Sequence, residues 1–159
     1  MIIRKNNYTL DIDLEASRAY SLSHSLCDCP ECRNFYAQAR EKLPKLAAFL
    51  DEMSISIDRP DEMGSCAEDG KIDYHFVAYT IPGKILETGG YEIDLFDGGL
   101  YLNIVINGEY IPNELKTPDY FTLSIYNISL PWVLDESFPE NTKVRPSRLS
   151  RINEYFHKA

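Results

Sequence analysis

The chain has 159 residues, 44% hydrophobic and 26% charged, the balance of an ordinary folded protein and of a length that suits one domain over residues 1–159. Its net charge of −9 is uneven: residues 51–119 hold 15 acids against 4 bases, while 1–50 and 120–159 each come to +1. Such acidity repels phosphate backbones and anionic bilayers, no apolar run approaches the roughly 20 residues of a membrane span, and the opening MIIRKNNYTLDIDLEA turns polar too soon for a secretory signal, so the expectation is a cytoplasmic protein that binds neither nucleic acid nor membrane.

Tyr8, Leu10, Ile12 and Leu14 alternate with Thr9, Asp11 and Asp13, the period of a half-buried strand over 8–14. Pro30 suits the first turn of a helix, where its missing N–H has no partner to lose. From there Phe35, Ala39, Leu43, Leu46, Ala47 and Leu50 recur at helical spacing up to residue 52. Pro44 interrupts that pattern and predicts a kink, or two short helices meeting. Residues 54–58 read as a short strand. Residues 59–70, with Pro60, Gly64, Gly70 and four acids, read as a surface loop.

Beyond residue 70 the chain becomes strand-rich. Tyr74, Phe76 and Ala78 alternate with Asp73, His75 and Val77; Tyr91, Ile93 and Leu95 alternate with Glu92, Asp94 and Phe96. The turn Asp97-Gly98-Gly99 leads into Leu100, Leu102, Ile104 and Ile106, which predicts a hairpin. Asn107-Gly108 is a second turn signal. Phe121, Leu123 and Ile125 mark a strand continuing to Pro131, and the tail from Ser147 reads as a helix. The predicted fold is α+β: a mostly antiparallel sheet of five to six strands, packed against the kinked helix 30–52 and a C-terminal helix. Tight turns between successive strands argue against a parallel sheet, which needs long crossovers.

The most specific feature is His24-Ser25-Leu26-Cys27-Asp28-Cys29-Pro30-Glu31-Cys32-Arg33-Asn34-Phe35. Three of the four cysteines fall within six residues, and the fourth, Cys66, lies in the acidic stretch. In a cytosolic chain such clustering points to metal binding or redox chemistry before structural disulfides. Zinc takes four tetrahedral ligands, commonly thiolates and imidazoles. Cys27, Cys29 and Cys32 would supply three, and His24 or Cys66 the fourth. A redox reading rests on Cys29-Pro30-Glu31-Cys32 at a helix start, where backbone N–H groups and the helix dipole favour a thiolate; the preceding SLSHSL makes a poor central strand for a thioredoxin-like unit. Reduced thiols that simply pack around the helix start are the third reading.

This segment resembles a family of small bacterial proteins of unknown function, with a C-D-C-P-x-C-R-N-F/Y run at a helix start. The likeness extends from Cys27 to about Phe96, through the proline-containing helix and the Tyr91-Glu92-Ile93-Asp94 strand. It implies a bacterial cytosolic protein and supplies no activity.

Catalytic signatures are lacking elsewhere. His24, His75 and His157 fall in no H-E-x-x-H or H-x-E pattern, and there is no phosphate-loop, dinucleotide-binding or G-x-S-x-G motif. Asp11, Asp13 and Glu15 would share one strand face, and Glu92 and Asp94 another; neighbouring strands would merge them into an acidic patch, unless each is simply the solvated side of a sheet. The strand-rich half also carries Tyr91, Tyr101, Tyr110, Tyr120 and Tyr126. The function expected is a non-catalytic, immunity- or inhibitor-like binding protein, with a structural cysteine cluster and an acidic face for a basic partner that includes Tyr91, Glu92, Asp94 and Tyr101. The alternative is a thiol-disulfide oxidoreductase using Cys29 and Cys32.

Overall fold

Alternating residues become strands when one face has a core to meet, and here that core lies beneath two short helices. The computed structural model describes residues 1–109 and 111–139; the helix expected from Ser147 lies outside them. Along the chain run β1 (Ile2–Lys5), β2 (Tyr8–Ile12), α1 (Leu14–Ser23), α2 (Pro30–Lys42), α3 (Pro44–Asp51), β3 (Glu62–Glu68), β4 (Lys71–Glu87), β5 (Ile93–Asp97), β6 (Leu100–Asn107), β7 (Tyr120–Tyr126) and β8 (Ile128–Pro131). The fold is α+β, and the pairs of its eight-stranded sheet are antiparallel.

β4 organises the sheet. One of its edges takes β3 and then β2; the other takes β8 and then β7, with β6 and β5 beyond. The single strand expected up to Pro131 is split into β7 and β8 at Asn127, whose φ is 71°. The inner face joins Leu10, Ile12, Tyr74, Tyr79, Leu102 and Phe121 to Phe35, Leu43, Leu46 and Leu50 of the α2–α3 segment in one buried cluster. Tyr74 meets Phe35 edge-on at 5.2 Å between ring centres, and its hydroxyl donates to the Glu31 carbonyl at 2.7 Å.

The expected break at Pro44 is present: α2 ends at Lys42 and α3 starts at Pro44. Leu43 precedes α3 and has no capping side chain. The cap comes from the sheet instead, where the buried Asp97 accepts from the Leu46 N–H at 2.8 Å.

Three expectations are corrected. The first strand stops at Ile12, because the Asp13 side chain accepts from Ala16 N–H at 2.9 Å and caps α1, which also takes Glu15 out of the strand. Residues 54–58 are not a strand: Ser54 closes one turn and Ile57 and Asp58 form another. Residues 62–68 are a strand rather than a loop: Asp69 and Gly70, with φ of 52° and 76°, close a two-residue hairpin onto β4.

β3 pairs with β4 up to Ala78 and β2 begins pairing at Gly83. The edge between them is closed by side chains. Thr80 N–H donates to Asp61 Oδ2 at 2.7 Å, Tyr20 Oη–H donates to Asp61 Oδ1, and His24 Nδ1 lies 3.9 Å from that oxygen. Burial pushes the Asp61 carboxyl above the usual carboxylate range, opposed by its Tyr20 donor, the His24 charge and the Thr80 donors.

Replacing Asp61 by Ala leaves two buried donors without their acceptor and is expected to lower the unfolding free energy by about 3 kcal/mol in urea titration. Gly83→Ala sets a Cβ 2.2 Å from the Asp11 carbonyl oxygen at a φ of +148° and is expected to cost about 3 kcal/mol. Gly70→Ala, also at positive φ but with nothing within 4 Å of the added Cβ, should cost about 1 kcal/mol by the same measurement.

Candidate metal-thiolate cluster and the outer sheet face

The cluster is built by the start of α2. Cys29 is the cap residue, with extended backbone (φ −71°, ψ 155°), Pro30 opens the helix, and the Cys29 carbonyl accepts from Arg33 N–H at 3.0 Å. One turn in, Cys32 faces the interior. The segment bearing Cys27 folds back over this turn because Tyr36 donates to the Cys27 carbonyl at 2.9 Å and Arg33 Nε donates to the Asp28 carbonyl at 3.2 Å. Arg33 also makes a two-pronged pair with Glu136, at 2.7 and 2.9 Å, tying the helix start to the chain beyond β8.

The three Sγ atoms of Cys27, Cys29 and Cys32 lie within 4.8 Å of one another, and they form the one such donor group among the described residues. Thiolates sit about 2.3 Å from a shared zinc ion, which sets tetrahedral sulphurs roughly 3.8 Å apart. The three sulphurs can therefore close on one metal ion with small side-chain adjustments.

The hydrogen bond from Cys32 and its N–H hold the Cys29 thiol down at about 6, against the opposing effect of burial. Cys32 is pushed far up, because its proton serves Cys29 and because it is buried. Burial, then the nearby sulphurs, raise the Tyr36 hydroxyl. Behind the cluster α2 presents a buried polar row. Asn34 donates to Tyr74 Oη at 3.2 Å and to the Pro131 carbonyl at 3.1 Å, and its own carbonyl oxygen accepts from Val133 N–H at 2.9 Å. Gln38 donates to the same Pro131 carbonyl at 2.7 Å. Helix position is thus set by polar satisfaction as well as by apolar contact.

Two residues expected as fourth ligands lie elsewhere. His24 is 4% exposed and stacks on Tyr20 at 4.8 Å. Its Nδ1 is 3.1 Å from the Ser25 carbonyl oxygen and its Nε2 is 3.0 Å from that of Arg59, so both nitrogens are occupied. Cys66 sits in β3 opposite Asp73, outside the three-sulphur group.

The outer face of β5, β6 and β7 gathers the other expected residues. Phe96 and Tyr101 are directly opposed, with ring centres 4.7 Å apart, and are 50% and 76% exposed. Asn103 is opposed by Asp94 on β5 and by Tyr126 on β7. Its amide donates to Glu92 Oε2 at 3.0 Å and to Asp94 Oδ1 at 2.8 Å. Tyr91 is 78% exposed; it and Glu92 add to the burial that raises the Tyr126 hydroxyl. Phe96 was not singled out for this site from sequence; its register with Tyr101 adds it, and Tyr126 joins the face through its register with Asn103. The condition for one acidic patch across the first strand and β5, that the two be neighbours, is not met. The two strands are not neighbours in the sheet, Asp13 is a helix cap and Asp11 faces the amino terminus at 3.5 Å.

No protein-family model, curated protein or solved structure matches the chain. Among the described residues no helix is long and apolar enough to cross a membrane.

In reduced, metal-stripped protein, alkylation of Cys29 by iodoacetamide should rise through about pH 6 and be near its plateau at neutrality, since the lowered thiol is a thiolate above that point. Cys32 should stay unmodified until denaturant is added. Peptide mass spectrometry across the pH series reads both, and a Cys29 midpoint in the ordinary thiol range would show that its neighbours do not stabilise the thiolate.

Proposed function

We propose that the protein is a non-catalytic, cytoplasmic binding protein, immunity- or inhibitor-like, that captures a basic protein on the outer face of β5–β7, while Cys27, Cys29 and Cys32 hold a structural zinc ion at the start of α2. The observation that carries this reading is the pair of exposed rings, Phe96 and Tyr101, set beside Asp94 on one face of β5 and β6, with Glu92 held to Asn103 and the exposed Tyr91 just ahead of β5. Carboxylates in a region of charge −11 steer a cationic partner over long range. Aromatic side chains then supply contact area at low entropic cost. An all-sulphur donor set at this spacing supports zinc over calcium or magnesium, which take oxygen ligands.

The test is capture of basic proteins from the native host's lysate on immobilised protein, followed by affinity measurement on the partner recovered. Tyr101→Ala is expected to weaken binding about 30-fold, the size of one anchoring aromatic. The double variant Glu92→Lys/Asp94→Lys should slow association about tenfold at low salt and converge on the parent at high salt. A partner whose affinity ignores both changes would overturn the reading.

One observation favours a second reading, thiol-disulfide exchange: Cys29 is poised at about 6 beside the buried Cys32. Cys29→Ser should then abolish reduction of a small disulfide substrate and leave partner capture intact.

A further inference from the structure

We infer that the centre formed by Cys27, Cys29 and Cys32 is a three-thiolate site with its fourth coordination position facing solvent, where it accepts a thiolate from outside the chain. The inference rests on the reading that this cluster holds zinc and goes beyond it by naming what completes the ion's shell.

The cluster is graded in exposure: Cys32 is buried, Cys29 intermediate and Cys27 exposed. An ion bound by all three sulphurs therefore has its inner side against the first turn of α2 and its outer side at the surface. Among the described residues, the donors that could close that side from within are committed to other contacts. Both nitrogens of His24 meet backbone carbonyls, and Cys66 belongs to β3. The Asp28 side chain is 95% exposed and lies 3.6 Å from Arg33 Nε. Tyr36 spends its hydroxyl proton on the Cys27 carbonyl, so it stands by as a neutral phenol rather than as a ligand. Zinc with three protein ligands and one exchangeable position is a stable arrangement.

The electrostatics suit an anionic fourth ligand. Three thiolates around a divalent ion carry a net charge of −1, and a fourth brings −2. Two features offset this. Cys29 is the cap of α2, so the positive end of the helix dipole lies at the cluster, where the Cys32 N–H serves the Cys29 sulphur. The Arg33 guanidinium, held by Glu136 and Asp28, is carried on the same helix turn, one residue beyond Cys32. A soft donor completes a sulphur shell better than water does, so the ligand class is a small thiol such as glutathione, bound through its deprotonated sulphur with release of one proton to solvent.

The experiment uses the full chain, reduced and stripped of metal, with Co²⁺ as the visible stand-in for zinc. One equivalent of Co²⁺ should give sulphur-to-cobalt charge-transfer absorption with tetrahedral d–d bands. Adding glutathione should shift the d–d envelope and raise the charge-transfer intensity by about one third, from three sulphurs to four, saturating at one thiol per cobalt. His24→Asn and Cys66→Ser should keep the whole response. Cys27→Ser should lose about a third of the charge-transfer intensity before thiol is added, and far-ultraviolet circular dichroism of the metal-free variants separates a lost ligand from a lost fold. A wild-type chain that binds no cobalt overturns the zinc reading together with this inference. A cobalt spectrum that ignores glutathione, or cobalt that glutathione strips away, overturns the inference alone and leaves the zinc reading standing.

Discussion

Seventeen residues of β4 have to find backbone partners along both edges, and that one constraint arranges most of the molecule. Neither edge is served by a single strand. On one side β3 covers the first half and β2 the last five residues; on the other β8 covers the start and β7 the middle. Each handover demands a local device. Asn127 adopts a left-handed conformation between β7 and β8. Gly83 lets the backbone pass the Asp11 carbonyl at the start of the β2 pairing. Between β3 and β2 the gap is closed by the Asp61 carboxylate, which brings Tyr20 and His24 with it. The buried histidine is thereby explained by the sheet and not by the cysteines.

The helices answer the same frame. α3 depends on a sheet residue, Asp97, for its cap, so the hairpin β5–β6 and the helix cannot settle independently. α2 is held by Asn34 and Gln38 to the carbonyl of Pro131 at the end of β8. These bonds anchor α2 one turn beyond its start, where three sulphurs converge.

The outer face of β5–β7 has a different origin. Its residues are far apart in sequence, and antiparallel register alone brings them together: Phe96 against Tyr101, Asp94 against Asn103, Asn103 against Tyr126. Asn103 is central because its amide meets two carboxylates at once and eases their mutual repulsion. That holds Glu92 and Asp94 on one amide, beside the exposed rings of Phe96 and Tyr101.

The amino-acid sequence by itself determined the elements whose signals are local. Proline positions dictated where α2 starts and where α3 begins, because a missing N–H acts within one turn. Alternation and the Asp97-Gly98-Gly99 turn dictated the β5–β6 hairpin, and the C-x-C-x-x-C spacing made a three-sulphur group legible before any coordinates. β3 carries a local signal as well, the Asp69-Gly70 turn, but Pro60, the glycines and four acids of 59–70 give that stretch the composition of a loop. Only the tertiary structure decided the rest. α1 buries Ser17, Tyr20 and Ser21, the last two through hydrogen bonds to Asp61 and Ser56, and has no apolar stripe to announce it. His24 and Cys66 leave the metal-ligand set because contacts 35 residues away with Arg59, and strand pairing with Asp73, hold them elsewhere. Periodicity and turn chemistry act over a few residues, whereas ligand sets and binding faces depend on register and on distant hydrogen-bond partners, which no local pattern encodes.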